Sequence, residues 1–211
     1  MLESREEFAF KALEKFITTN CFAVRPSNNL ITLASKAQSN VYFDLKPALC
    51  DPSTLNKIAI LITEALEASP PVDYICGPEL GGVPLAIAVG QYTFQERQIA
   101  MRPILVRKAA KDHGNSKLVQ GLRKGETIEG KSVAVIEDVT TTGGSAMKII
   151  ESIRSAGGHV PHVITVVNRD EGAAELFAQQ GMKFTALTHK YRYITPEQEI
   201  YIPTPQTIER A

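Results

Sequence analysis

The sequence predicts an α/β fold: a mainly parallel sheet flanked by helices. Three observations point there. From residue 70 onward, short apolar runs of strand length alternate with helical stretches of about 10–15 residues, the signature of βαβ units. The length of 211 residues is ample for one large core without disulfides or metals. A hydrophobic content of 44% and a charged content of 22% are those of an ordinary soluble globular protein.

The elements follow in order. Residues 4–19 place Phe8, Ala12, Leu13, Phe16 and Ile17 near helical spacing, and Ser4 with Glu7 has the form of a capping box. Residues 30–33 and 41–45 read as short strands. In the second, Val41, Phe43 and Leu45 share one face while Tyr42 and Asp44 share the other. Asp51-Pro52 opens a helix, with Asp51 as N-cap and Pro52 at the first helical position. Its apolar stripe is Leu55, Ile58, Ala59, Ile62 and Leu66, and Pro70-Pro71 closes it. Tyr74-Ile75-Cys76 is a strand leading into Gly77-Pro78 and an apolar helix over 83–92, with Ala86-Ile87-Ala88-Val89 as its buried face. Strands are expected at 104–106, 133–136, 160–167 and 184–187, with helices at 145–156 and 171–180.

The expected organisation is a single domain over 1–211. Its N-terminal helices and hood strands run to residue 70, its α/β core over 70–190, and its tail, 190–211, packs on the hood. Open parallel sheets bind ligands beyond the carboxyl ends of their strands. A site is therefore expected after Cys76, Val106, Ile136 and Val167.

Charge and cysteine usage narrow the function. With 23 basic and 23 acidic side chains the formal charge is zero, which argues against a nucleic-acid coat and against an acidic tail. Cys21, Cys50 and Cys76 lie far apart with no metal-ligand spacing. No apolar run follows Met1, where Glu3, Arg5, Glu6 and Glu7 come early. No stretch approaches the ~18 apolar residues of a membrane span. The expectation is a reduced, cytoplasmic protein with neither nucleic acid nor membrane as partner. A chain ending at Ala211 is also expected to lack a fused second barrel domain.

Residues 125–132, Gly-Glu-Thr-Ile-Glu-Gly-Lys-Ser, match the letters of a P-loop. A P-loop needs a strand before it and a helix after it, so that backbone N–H groups wrap the phosphates. Here Lys131-Ser132 feed a strand, and Glu126 and Glu129 would oppose a polyphosphate. The segment reads as a turn.

The informative stretch is residues 133–145. An apolar strand delivers two adjacent carboxylates, Glu137 and Asp138, to its carboxyl end. Val139 and a loop of Thr140, Thr141, Thr142, Gly143, Gly144 and Ser145 follow, and then a helix begins. Hydroxyls, backbone N–H groups and a helix N-terminus suit one phosphate. The carboxylates suit hydroxyl groups or hydrated Mg²⁺. Phosphate, diol and metal together point to a ribose phosphate.

This segment resembles the 13-residue phosphoribosyl-diphosphate (PRPP) motif of type I phosphoribosyltransferases, with Thr140 where many members carry an aliphatic residue. Arg107-Lys108-Ala-Ala-Lys111-Asp112-His113-Gly114 resembles the R-K-x-x-K-D-H-G loop of orotate phosphoribosyltransferases. Between Arg107 and Lys124 there are six Lys or Arg against one acid, Asp112. Val41-Tyr42-Phe43-Asp44-Leu45 is similar to that family's Y-F-D segment, and residues 77–84, with Leu80 and Gly81, to its pyrophosphate loop. Arg169 matches the arginine that holds orotate. Some members carry lysines where this chain has Ala34 and Gly81, and Lys36 follows Ser35 where glycine is usual; Lys36 would supply the missing cation.

The resemblance implies a type I phosphoribosyltransferase fold with a small hood and a mobile loop, acting on PRPP and orotate with Mg²⁺. It implies that Arg107, Lys108, Lys111 and His113 attend the pyrophosphate, with Lys111 the most rate-sensitive contact and a proton donor. Glu137 and Asp138 would hold the ribose hydroxyls, Asp138 also steadying the developing cation. Residues 139–145 would bind the 5′-phosphate. Thr141, Arg169, Tyr42 and Phe43 would orient orotate. No direct protein ligand to the metal is implied, Mg²⁺ being held by PRPP and water near Glu137 and Asp138. The loop over 107–124 would close on the partner's site in a homodimer, with Gly114 and Gly121 as flexible points. A phosphoribosyltransferase for another base, or a non-catalytic PRPP sensor, are the competing readings. His159 and His162 are expected on opposite strand faces, His189 without ligand-like neighbours, and Cys76 in the core.

Overall fold

The structure is a computed structural model that describes residues 4–33, 36–98, 101–107 and 118–202. In chain order its elements are α1 (Arg5–Asn20), β1 (Phe22–Val24), β2 (Ile31–Thr32), β3 (Gln38–Ser39), β4 (Val41–Phe43), α2 (Lys46–Cys50), α3 (Pro52–Glu67), β5 (Tyr74–Cys76) and α4 (Gly82–Arg97). The series continues with β6 (Arg102–Pro103), β7 (Leu105–Val106), β8 (Val119–Gln120), β9 (Ser132–Thr140), α5 (Gly144–Ser155), β10 (His159–Asn168), α6 (Ala173–Gln179), β11 (Lys183–His189) and β12 (Tyr201–Ile202). Among the described residues no helix is long and apolar enough to cross a membrane.

The caps form where the sequence puts them. Ser4 Oγ accepts from Glu7 N at 3.0 Å, and Asp51 Oδ2 accepts from Thr54 N at 2.9 Å. The Glu7 carboxylate turns to Lys11 at 2.7 Å, so the helix cap uses the serine side of the expected box.

The central sheet has the order β11-β10-β9-β5-β6, and every neighbouring pair in it is parallel. Such a sheet buries both faces. On one side Ile75, Ala134, Ile136 and Ile164 pack with α1, α3 and α4, and on the other Val133, Val135 and Val163 pack with α5 and Phe177 of α6. Two small antiparallel sheets, β1-β4 and β12-β3-β2, form the hood. Tyr201 and Ile202 of β12 pair with Ser39 and Gln38, which adds β12 to the hood.

Three expectations are corrected. The strand expected at 104–106 is not in the central sheet: Leu105–Val106 pairs antiparallel with β8, while Arg102–Pro103 takes the sheet edge beside β5. Proline lacks the N–H that an inner ladder requires, and the edge position tolerates it. β9 runs to Thr140 rather than stopping at Ile136, because β10 continues its ladder as far as Asn168↔Thr140. Ile87 is half exposed, on the face of α4 away from buried Ala86 and Val89. His162 is buried while His159 is exposed, and a register irregularity separates them. Cys76 is core, with burial pushing its thiol up to about 12.

The P-loop lookalike is a turn entering β9. Glu126 takes a two-point contact from Arg102, at 2.8 and 2.9 Å, and accepts from Arg123 N at 2.7 Å. Its carboxylate already has its cation in Arg102.

Candidate active site

A cleft of about 180 Å³ opens at the carboxyl ends of β9 and β10, under the hood. Leu33, Tyr42 and Phe43 line it from the hood, Glu137, Val139, Thr141, Gly143, Gly144 and Ser145 from β9 and the start of α5, and Arg169 from the end of β10. The fold thus gathers residues from three distant stretches that the sequence had singled out.

The turn after β9 owes its shape to Gly143, whose φ of 80° is the left-handed conformation that glycine adopts without a Cβ penalty. It caps the N-terminus of α5, where Gly144 and Ser145 are exposed toward the cleft and the helix dipole favours an anion. Thr140 is placed differently from its neighbours. It is buried, and its hydroxyl donates to Glu137 Oε2 at 2.8 Å. Its direct role is to steady that carboxylate. Thr142 is half-buried and does not line the cleft.

The two acids diverge. Because side chains alternate along a strand, Glu137, Val139 and Thr141 reach the cleft while Asp138 turns aside to pack against Gly81. Burial raises the Asp138 carboxyl above its usual range, opposed by backbone N–H groups and by the charge of Lys46. The pyrophosphate-like loop itself is seated on the end of β9: a Cβ on Gly77 or Gly82 would meet the Ile136 carbonyl at 2.3 and 2.4 Å. Leu80 in that loop is 78% exposed, and the Glu79–Leu80 peptide is cis.

On the hood, Tyr42 is half-buried under the guanidinium of Arg25, 6.0 Å from the ring centroid. Phe43 is held in an aromatic cluster with Phe22 and Tyr193. Lys36 sits at φ 70° in an exposed turn whose first residue, Leu33, lines the cleft. Lys46, at the start of α2, pairs with Asp44 at 2.9 Å.

Arg169 is 2% exposed. Its Nε donates to Glu171 Oε1 at 2.8 Å, Nη1 to the Val41 carbonyl at 2.9 Å and Nη2 to Ser39 Oγ at 3.2 Å. One side chain therefore ties the core to the hood strand that carries Tyr42 and Phe43. The sequence analysis singled out neither Ser39 nor Glu171; the nearest available signal was an acid two residues beyond Arg169. His189 is bonded to Asp170 Oδ1 through Nδ1 at 3.0 Å, which the sequence also did not indicate.

Arg107 ends β7 at the rim, its N–H donating to the Leu118 carbonyl and its own carbonyl accepting from Ser152 Oγ. It does not line the cleft. Lys108, Lys111 and His113, like Ala34, lie outside the described residues. Among the described residues no three His, Cys, Asp or Glu side chains come together to hold a metal. Mg²⁺ commonly keeps several waters and takes one or two carboxylates plus phosphate oxygens, and Glu137 beside the α5 N-terminus fits that mode.

No family model matches the chain. Relatives are nevertheless clear. An orotate phosphoribosyltransferase of Rhodopseudomonas palustris (strain BisB18) is 48% identical over 157 residues, 74% of this chain and 83% of that protein. One from Methanosphaera stadtmanae is 40% identical over 166 residues, 76% of this chain and 86% of that protein. Among solved structures, the Mycobacterium tuberculosis H37Rv orotate phosphoribosyltransferase in complex with PRPP is 27% identical, with a TM-score of 0.66 over 86% of this chain and 96% of that one. The adenine phosphoribosyltransferase of Leishmania tarentolae, 18% identical at a TM-score of 0.59, shares the fold alone.

Proposed function

The chain belongs to the orotate phosphoribosyltransferase family, and we propose that it transfers the 5-phosphoribosyl group of PRPP to orotate. The products are orotidine 5′-monophosphate and pyrophosphate, in the synthesis of UMP. The observation that carries this reading is the cleft where the glycine-capped N-terminus of α5, Glu137, Arg169 and the Tyr42-Phe43 strand meet.

In the reaction the C1–O bond breaks and its electron pair leaves on pyrophosphate, while N1 of orotate, giving up its proton, bonds to C1 from the opposite face. The chain's residues divide that work. Backbone N–H groups of Thr141, Thr142, Gly143, Gly144 and Ser145, with the hydroxyls of Thr141 and Ser145, hold the 5′-phosphate, and Val139 lines the floor beside them. Glu137, steadied by Thr140, takes a ribose hydroxyl, and Asp138 with Leu80 and Gly81 shapes the side where the diphosphate leaves. Arg169, Thr141, Tyr42 and Phe43 orient the orotate ring and its carboxylate. Arg107, Lys108, Lys111 and His113 supply cations to the departing pyrophosphate, Lys111 also giving it a proton. Such preorganised charge and positioning are the main sources of rate where no covalent nucleophile is needed. Glu137 and Asp138 would lie beside a hydrated Mg²⁺ held mainly by PRPP, which when bound would supply charge neutralisation to the diphosphate.

The enzyme acts as a homodimer in which residues 107–124 of one protomer serve the site of its partner. An apolar face supports this. Ile87 and Phe94 are 50% and 66% exposed and lie two helical turns apart on one face of α4. Apolar side chains that size, grouped on one face, mark an interaction surface. The compartment is the cytoplasm, in keeping with three free thiols, one of them exposed.

The test is Mg²⁺- and PRPP-dependent loss of orotate absorbance. Turnover of a purine but not of orotate, or PRPP binding with no turnover of any base, would overturn the reading.

A further inference from the structure

The ion pair between Arg169 and Glu171 is enclosed: both side chains are 2% exposed. A buried pair adds little net stability, because desolvation offsets the attraction, so its value lies in fixing geometry. The geometry here is specific. A guanidinium carries five N–H groups. Nε is spent on Glu171, one N–H of Nη1 on the Val41 carbonyl and one of Nη2 on Ser39 Oγ. One N–H is left on each Nη for a ligand to accept from. Arg169 also lines the cleft beside Tyr42 and Phe43.

Glu171 has no other visible employment. Its second oxygen, Oε2, is buried without a hydrogen-bond partner among the described residues. The neighbouring Lys190 is matched by Glu199, with Nζ at 2.8 Å from Oε1, and both of those side chains are buried. Among the described residues the hydrogen bond to Glu171 comes from Arg169, while Lys190 acts on it through charge alone.

We propose that Glu171 is the positioning residue for the carboxylate-binding arginine. By holding the Nε edge, it stops the guanidinium from rotating and keeps one N–H on each Nη available to the carboxylate of the pyrimidine. This rests on Arg169 being the residue that receives orotate. An arginine without that anchor could still reach the ligand, but only after ordering a long, rotamer-rich side chain at each encounter. The consequence falls on orotate binding and spares PRPP.

The experiment is steady-state kinetics on Glu171→Ala, Glu171→Gln and Arg169→Ala, with KM measured separately for each substrate. Glu171→Ala should raise the KM for orotate about tenfold and leave that for PRPP within about twofold. Glu171→Gln should recover most of the loss, because its amide oxygen accepts from Nε and its amide nitrogen replaces an oxygen that had no partner. An orotate KM unchanged in Glu171→Ala, or Glu171→Gln as impaired as Glu171→Ala, overturns the proposal, and so does an equal loss for both substrates. Arg169→Ala separates the two layers. If it leaves orotate binding intact, the reading of Arg169 itself fails; if it abolishes that binding while Glu171→Ala does not weaken it, only the role of Glu171 fails.

Discussion

Gly81→Ala is the sharpest probe of how the pyrophosphate loop and the acidic pair are fitted together. The backbone of Gly81 is in the helical region, at φ −71° and ψ −38°, so alanine costs nothing there in conformation. Its Cβ would, however, lie 2.2 Å from both Cγ and Oδ2 of Asp138, where ordinary contact begins at 3.4 Å. The carboxylate must retreat by roughly 1.2 Å, and a misplacement near 1 Å at a reacting centre costs on the order of 10²-fold in rate. We expect kcat/KM for PRPP to fall about 100-fold, or about 2.7 kcal/mol of transition-state stabilisation, with little change in melting temperature. Orotate consumption at saturating orotate and varied PRPP measures it. The route of the effect is checked by a double-mutant cycle: if Gly81→Ala acts only through Asp138, it should add almost nothing to Asp138→Ala. A single variant within about threefold of the parent, or losses that multiply in the double variant, would refute the reasoning. The result also bears on the lysine that some family members carry here, since any side chain at 81 needs Asp138 in another position.

His162 is buried against Thr185 and held neutral, its pKa lowered to about 4 from 6.5 chiefly by burial. The unfolded chain binds that proton first, so the contribution is complete above pH 6.5 and is lost as pH falls to 4, up to about 3 kcal/mol. Urea unfolding at several pH values should show that slope, and His162→Gln should flatten it. Glu126 is lowered to about 2 from 4.5, first by its hydrogen bond from Arg102. Its contribution is present above 4.5 and lost as pH falls through 2, so Glu126→Gln should remove stability at pH 6 and nothing at pH 2 in thermal melts. If the proposed homodimer forms through the α4 face, Phe94→Asp should sediment as a monomer where the parent sediments as a dimer, and an unchanged dimer would clear that face of the role. Lys111→Ala mixed with Asp138→Ala under subunit exchange should recover about a quarter of parental activity, since half of the dimers would be mixed with one intact site each. Confirmed mixed dimers without activity would exclude a shared site.

Local rules carried the sequence reading a long way. A cap such as Ser4 or Asp51 is set by residues three apart, and the α/β alternation by runs a few residues long, so both survive without tertiary information. The strand–acid–acid–threonine–glycine order of residues 133–145 is likewise local, and it places most of the cleft. What escaped was set from a distance. β9 continues past Ile136 because β10 supplies partners for Glu137, Val139 and Thr140, and no pattern within 137–140 announces that. β1 exists because β4 pairs with it. The bonds from Arg169 to Val41 and Ser39 join residues about 130 apart, and a single sequence contains no record of such a meeting. Ile87 misled because an apolar run does not say which of its members face outward on a helix with little amphipathic contrast.

The extended strand changes what two adjacent carboxylates can do. On a loop, Glu137 and Asp138 could both have swung to one diol. On a strand paired through Asn168↔Thr140 their side chains depart to opposite sides. Glu137 is committed to the cleft and bonded to Thr140; Asp138 is committed to the wall where the pyrophosphate loop closes on β9. Their environments differ accordingly, Asp138 being the one whose carboxyl burial raises. A substrate bound as proposed, with its ribose over Glu137 and its diphosphate past Asp138, would have to bend around the end of β9. That bend would expose C1 between the two arms, on the side where the Tyr42-Phe43 strand and Arg169 would present the pyrimidine.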